Sequence, residues 1–507
     1  MADQQEVVAF LARPSSYRGV DSVRHIETHT AHVFLAGEFA YKLKRAVTYD
    51  FLDFSTLDKR RTACEAEIVI NRRTAPDIYL RAQPVTRRAD GGLALDGAGD
   101  PVEWVVVLRR FDEDGLFDRL ASRHALSLEM ARELADEVRQ LHTTADTRPD
   151  HGGVAGIRWV VDRNAMVFDE HADILPAGLA ARVTDASREA IDRHSALLES
   201  RRQSGHVRQC HGDLHLRNIV AIEGRPVIFD AIEFNDRIAC TDVLYDLAFL
   251  VMDLLQFSLP GHASEVLNRY LERSDELDGL PLMPLFLASR AAVRAKVTAL
   301  EARLARGADA ERDKAQARAY LKQAEAFLRP SPPRLIAVGG LSGSGKTTLA
   351  ARLAPGLGLA PGAVIVRSDV VRKQLFNVLP EVRLGPEGYT SIVNRKVYDA
   401  VVTRCRTVLA TGYSAIADGT FASADDRAAI EQVAKGAGVP FSGVWLQAPP
   451  ELLRSRVSAR TNDASDATAS VVDRQLASAT ALTGWHTIDA SGSQEETETR
   501  ARGYGVR

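Results

Sequence analysis

The chain has 507 residues, 64 of them Lys or Arg and 67 Asp or Glu, which gives a formal net charge of −3. That balance excludes a general nucleic-acid coat and a membrane-surface binder, both of which carry a basic excess. With 45% hydrophobic and 26% charged residues, disorder as the main state is excluded too, and the length suggests about three domains. The four cysteines, Cys64, Cys210, Cys240 and Cys405, are far apart and form no CxxC pair. No disulfide scaffold or structural zinc site is expected, and a reducing cytoplasm fits best. The first 19 residues lack a basic start followed by an apolar core, so no secretory signal is expected. The longest apolar run, 243–255, is interrupted by Asp246 and Asp253 and is too short and too charged to span a bilayer.

Short β-rich runs come first, at 32–35, 39–43, 80–85 and 104–108, with one helix at about 57–73. The segment 125–145 has helical periodicity. The pattern then stays mostly helical to 329, including one long helix over 291–328, and is broken by a strand-rich segment at 206–235. A small β-rich lobe (1–110) followed by a larger helical lobe (111–329) is an arrangement in which a nucleotide sits at the hinge. The run after 104–108 supplies that hinge.

The strand-rich segment contains His211-Gly212-Asp213-Leu214-His215-Leu216-Arg217-Asn218, then an apolar run ending in Asp230. In H-x-D-x-x-x-x-N, the carboxylate of Asp213 takes or orients the proton of an acceptor hydroxyl. Asn218 and Asp230 hold Mg²⁺ against a triphosphate. Glycine at 212 permits the tight turn. The pattern resembles the catalytic loop of aminoglycoside phosphotransferases and their relatives, the choline, homoserine and fructosamine kinases. Asp230-Ala231-Ile232-Glu233 resembles their D-x-x-E, and Asp242 to Ala248 resembles their D-x-x-x-D-L-A, in which Asp246 buttresses the loop. The resemblance implies an α+β bilobal protein-kinase-like domain that uses ATP. Such a domain needs a lysine for the phosphates and a helical glutamate to pair with it. Lys42 and Lys44 share one face of their strand, so alternation leaves the choice open; position near the strand end favours Lys44. Glu65 and Glu67 are both available, with Glu65 preferred. One departure is the stretch 27–34, ETHTAHVF, which has no glycine where a phosphate-covering loop is usual. Arg294 and Lys296 either bind an anionic acceptor or are exposed helix residues.

Pro330-Ser331-Pro332-Pro333 reads as an extended linker. Beyond it, 334–507 alternates strands (335–338, 363–366, 414–417, 441–446) with helices (from 346, 397–409, 424–434). This predicts an α/β domain with a parallel sheet covered on both faces. From about 487 the polar tail is expected to fray. Gly340-Leu341-Ser342-Gly343-Ser344-Gly345-Lys346-Thr347 matches G-x-x-x-x-G-K-[ST] between a strand and a helix, with Thr348 next on that helix. Its backbone N–H groups cradle phosphates, Lys346 adds a charge at the β/γ positions, and Thr347 holds Mg²⁺. Asp369, at a strand end, is placed to take a proton from an acceptor hydroxyl, or else caps a helix; Arg372 is placed for an anionic substrate. Asp418 ends the next strand, in the water-mediated Mg²⁺ role or as a turn residue. Arg456 and Arg460, four apart, are placed as lid arginines or as a solvated helix face. This half resembles the small P-loop kinases of the nucleoside-kinase-like group: gluconate kinase, zeta toxin and the AAA-type predicted kinases. The specific stretches are RSDVVRK, IADGTF and RTNDASDA.

Together these readings predict a cytoplasmic ATP- and Mg²⁺-dependent phosphotransferase with two nucleotide sites. Its acceptor is the hydroxyl of a small molecule, aminoglycoside- or sugar-like, and neither nucleic acid nor membrane is a partner. The alternative is one catalytic kinase half joined to one ATP-binding regulatory half.

Overall fold

The computed structural model describes residues 2–49, 51–459, 464–477 and 484–504. The first strands are β1 (Val23–Glu27), β2 (Ala31–Ala36), β3 (Phe39–Lys44), β4 (Thr48–Tyr49), β5 (Leu52–Asp53), β6 (Tyr79–Arg87), β7 (Leu93–Leu95) and β8 (Pro101–Arg109). Six of them form an antiparallel sheet in the order β1-β2-β3-β8-β6-β7. The two-residue turn between β2 and β3 works because Gly37 sits at φ +58°. Alternation along the strands gives the sheet two buried faces. One face, with Phe34, Leu43 and Val105, covers Val7 and Leu11 of the N-terminal helix. The other, with Tyr79 and Val106, packs on Cys64 and Ile68 of the helix Leu57–Asn71. Four short strands follow: β9 (Val207–Gln209), β10 (Ile219–Ile222), β11 (Arg225–Ile228) and β12 (Cys240–Asp242). They are embedded among helices, so the first part is a bilobal protein-kinase-like fold. The single helix expected over 291–328 is two, Met283–Leu304 and Ala308–Phe327. The break falls at Gly307, whose φ of +60° leaves the helical region.

The last strands, β13 (Leu335–Gly340), β14 (Val364–Arg367), β15 (Ala415–Asp418), β16 (Phe441–Gln447) and β17 (His486–Asp489), form a parallel sheet in the order β14-β15-β13-β16-β17. All six residues of the central β13 are buried, as an apolar run in an α/β sheet requires. The fraying expected from 487 does not occur over the described residues 487–504. Ile488 is buried in β17, and a capping box between Ser493 and Glu496 starts the helix Gln494–Gly503.

The chain divides into two compact units, residues 1–160 with 195–253, and 161–194 with 254–507. The proline-rich segment 330–333 lies within the second of them. In that unit the helix Pro260–Glu272 covers the edge strand β14. Asn268 imitates a neighbouring strand there, accepting from Ile365 N at 2.7 Å and donating to Ala363 O at 3.2 Å. Arg269 and Arg273 both pair with Glu381. Among the described residues no helix is long and apolar enough to cross a membrane.

Candidate active sites

In the first unit, the hairpin of β10 and β11 joins the two ends of the sequence motif. Ile219 faces Ile228, and Phe229 N donates to Asn218 O at 2.9 Å. The loop 211–218 rests on buried carboxylates. Asp246, fully buried, accepts from His211 N (3.0 Å) and Gly212 N (2.9 Å) and meets His142 Nε2 at 3.2 Å, while Asp253 accepts from Leu216 N at 2.9 Å. The turn between the first two of these amides needs Gly212, at φ +85°. Asn218 Nδ2 donates to Asp213 Oδ2 at 3.1 Å, and His215 Nε2 lies 3.2 Å from the same oxygen. Asp230 takes φ +62°, and its N–H donates to Tyr79 OH at 3.0 Å.

The lysine–glutamate pairing differs from expectation. Glu65 lies on the outer helix face, with its side chain 51% exposed, and pairs only with Arg61 at 2.9 Å among the bonds described for it. Glu67, fully buried, receives both lysines: Lys42 at 2.9 Å and Lys44 at 2.6 Å. Lys42 also reaches Asp230 at 2.6 Å, and Lys44 reaches Glu233 at 2.5 Å. It is therefore Lys42, not the favoured Lys44, that contacts the strand-end aspartate. The helical period carries the missed signal. Arg60, Ala63, Cys64, Glu67 and Asn71 form the buried stripe, and 65 falls off it. Burial opposes charge on all four groups, but Asp230 and Glu67 raise Lys42, and Glu233 and Glu67 raise Lys44. Burial likewise works to raise Glu67, yet the two ammonium charges prevail and hold it at about 2, whereas burial leaves Glu233 above its ordinary range. A cavity of about 180 Å³ opens here, lined by Thr30, Lys42, Lys44, Asp213, Asp230 and Glu233. Acid and ammonium groups facing one space, with the Asn218 amide bonded to Asp213 beside it, form a set of groups suited to a metal–triphosphate.

In the second unit, β13 delivers the turn 340–347 to the start of the helix Lys346–Leu353. Gly343 has φ +84°, and a Cβ there would lie 2.5 Å from Leu453 O, so the turn admits only glycine. Thr347 Oγ1 donates to Asp418 Oδ2 at 2.6 Å, which joins the two groups expected at the metal. Burial raises the Asp418 carboxyl above its usual range against the pull of Lys346 and Arg367. Lys346 Nζ donates to Leu341 O at 3.0 Å. Among the described residues the buried Ser344 Oγ has no hydrogen-bond partner, as a hydroxyl awaiting an oxyanion would. A cavity of about 270 Å³ is lined by Gly343, Gly345, Thr348, Arg456 and Ser493. Arg456 donates to Ala490 O at 2.9 Å; Arg460 lies outside the described residues. Asp369 stands in the first turn of the helix Ser368–Leu375 and does not cap it, because the capping position is Arg367. Arg372, buried, stacks on Tyr389 at 4.7 Å and donates to Gly388 O at 2.6 Å, and its Nε has no partner among the described residues.

Comparison with known proteins matches residues 79–286 to the phosphotransferase enzyme family and residues 335–482 to an AAA domain. The chain thus joins a phosphotransferase domain to a P-loop kinase-like domain, and it is a phosphotransferase in general terms. The uncharacterized protein Rv2004c of Mycobacterium tuberculosis is 31% identical over 488 residues, 92% of each chain. The chain belongs to the same family as that protein. Among solved structures, a choline/ethanolamine kinase family protein from Mesorhizobium loti is similar at 15% identity, over 64% of this chain and 99% of that one, with a TM-score of 0.39. A sugar kinase from Janibacter is similar at 21% identity, over 34% and 94%, with a TM-score of 0.26.

Proposed function

We propose that the protein is an ATP-dependent phosphotransferase with two nucleotide sites, each transferring the γ-phosphoryl group to the hydroxyl of a small molecule. The observation that supports this is a cluster of carboxylates with an ammonium group in each unit: Asp213 and Asp230 line one cavity with Lys42, and Asp418, bonded to Thr347, feels the charges of both Lys346 and Asp369. In the first site Asp213 is the base, Asn218 and Asp230 are the Mg²⁺ ligands, and Lys42 with Glu67 holds the phosphates. In the second, Asp369 is the base, Thr347 and Asp418 serve the metal, Lys346 and the 340–348 turn hold the phosphates, and Arg372 orients the acceptor. When bound, Mg²⁺ neutralises the phosphoryl oxygens; the chain's own groups position the hydroxyl and take its proton. The acceptors are sugar-like alcohols met in the cytoplasm, with no nucleic acid or membrane required.

The test is an acceptor screen by ATP consumption on the wild type, Asp213→Asn and Lys346→Ala. Each variant is expected to lose turnover with one set of acceptors and keep it with the other. If both keep full turnover with every accepted substrate, the two-site reading fails. If one half binds ATP yet transfers to nothing, the regulatory alternative takes its place.

A further inference from the structure

The helix Ala469–Ala477 carries Val472, fully buried, on its inner face. One turn on, Gln475 points the same way, and its Oε1 accepts from Ser342 N at 2.9 Å. Ser342 is one of the backbone donors in the phosphate-binding turn. The same peptide unit, Leu341–Ser342, offers its carbonyl to Lys346 Nζ at 3.0 Å. The ammonium meant for the β/γ phosphates and the Gln475 amide therefore hold the two ends of one peptide group.

This contact is built into the surroundings. Arg454 and Asp473 pair at 2.7 Å, tying the helix Pro450–Ser458 to the one carrying Gln475. Just before that helix, Asp466 Oδ2 accepts from Lys373 Nζ (2.5 Å), Tyr389 OH (2.6 Å) and Leu384 N (3.0 Å). Lys373 is fully buried. The segment thus has one anchor at the acceptor side and one at the phosphate side.

We propose that Gln475 is a further nucleotide-binding residue, one that contacts the γ-phosphoryl group. A primary amide has an acceptor and a donor on one rotatable group. Without nucleotide, its oxygen satisfies the Ser342 N–H. With ATP, a phosphoryl oxygen takes that N–H, and the amide turns so that Nε2 donates to the γ-phosphoryl oxygen. ADP has no oxygen there to receive it. This rests on the P-loop reading of the second site, and it adds a γ-specific contact that the P-loop motif alone does not contain.

The test measures binding of a β,γ-imido ATP analogue and of ADP, each with Mg²⁺, to the full chain by calorimetry. The signal taken is the component that Lys346→Ala removes. Gln475→Ala is expected to weaken the ATP analogue about tenfold, as loss of one hydrogen bond to a charged group does, while ADP changes less than twofold. Gln475→Glu keeps size, packing and acceptor but loses the donor and adds a negative charge, so it is expected to weaken the analogue further and still spare ADP. Equal losses for the two nucleotides, no loss, or tighter ATP binding would overturn the proposal. If Lys346→Ala removes no binding from the wild type, the P-loop reading fails first and takes this contact with it, a result separate from the other three.

Discussion

Replacing Glu67 by Gln keeps the shape of the side chain and removes the charge that two buried lysines share. Glu67 is fully buried, 2.9 Å from Lys42 and 2.6 Å from Lys44. Without it the two ammonium groups face each other with Asp230 and Glu233 alone, and Glu233 is the acid that burial pushes toward protonation. Removing one partner of a buried ion pair costs about 3–5 kcal/mol. The titration of Glu67 gives a similar figure: held at about 2 against an ordinary 4.5, its charge contributes about 3 kcal/mol. Because the folded value is depressed, that contribution is complete above pH 4.5 and is lost as the pH falls toward 2, so a melt at pH 7 reads all of it. For a unit of this size the transition falls by about 10 °C. Glu65→Gln, which breaks only an exposed helical pair, shifts it by about 1 °C or less. Circular dichroism melts at pH 7 read the stability, and hydrogen exchange over 39–71 localises the change. Equal melting of the two variants would refute the assignment of Glu67 as the buried partner.

Asp418 is raised by burial, so its ionised form is lost at a higher pH than an ordinary aspartate's; if it serves the metal as proposed, apparent Mg²⁺ affinity of the second site is expected to weaken on acidification sooner than an ordinary aspartate would make it, and Asp418→Asn to remove that dependence, as Mg²⁺ titrations of ATP turnover would record. Asn268→Ala strips two partners from the edge of β14 and destabilises the second unit by about 1–3 kcal/mol in a urea titration, and a fragment starting at 330 aggregates because the same edge is bare. Burial, with the charge of Arg163 adding to it, lowers Lys296 to about 8. The folded state of a depressed lysine is penalised while the group is charged, so stability rises with pH from about 8 toward 10.5. Lys296→Met is therefore expected to stabilise the protein by about 2 kcal/mol at pH 7, with the difference vanishing near pH 10.5 in chemical denaturation.

Much of the molecule is set by short-range pattern. The turn 340–347 needs glycines at fixed positions and a strand and helix at its ends, so it is readable wherever it stands. The spacing from Asp213 through Asn218 to Asp230 is bridged by a hairpin, and the β10–β11 register follows from that spacing. The fifth strand β17 was hidden because only its Ile488 is buried, too little apolar surface to mark a strand by periodicity.

What the sequence determined by itself was therefore the pair of nucleotide-type motifs and the class of fold around each, since both depend on residues near one another in the chain. Tertiary structure decided the choices between near-equivalent residues and the pairing of distant ones. Lys42 and Lys44 lie on the same strand face, and only the position of the helix carrying Glu67 shows that both are used, each toward a different acid at 230 and 233. Likewise, Asn268 reaches β14 across about a hundred residues, and Gln475 reaches Ser342 across more. Hydrogen bonds of that span leave no periodic trace in the sequence, because their partners are brought together only by the packing of whole elements.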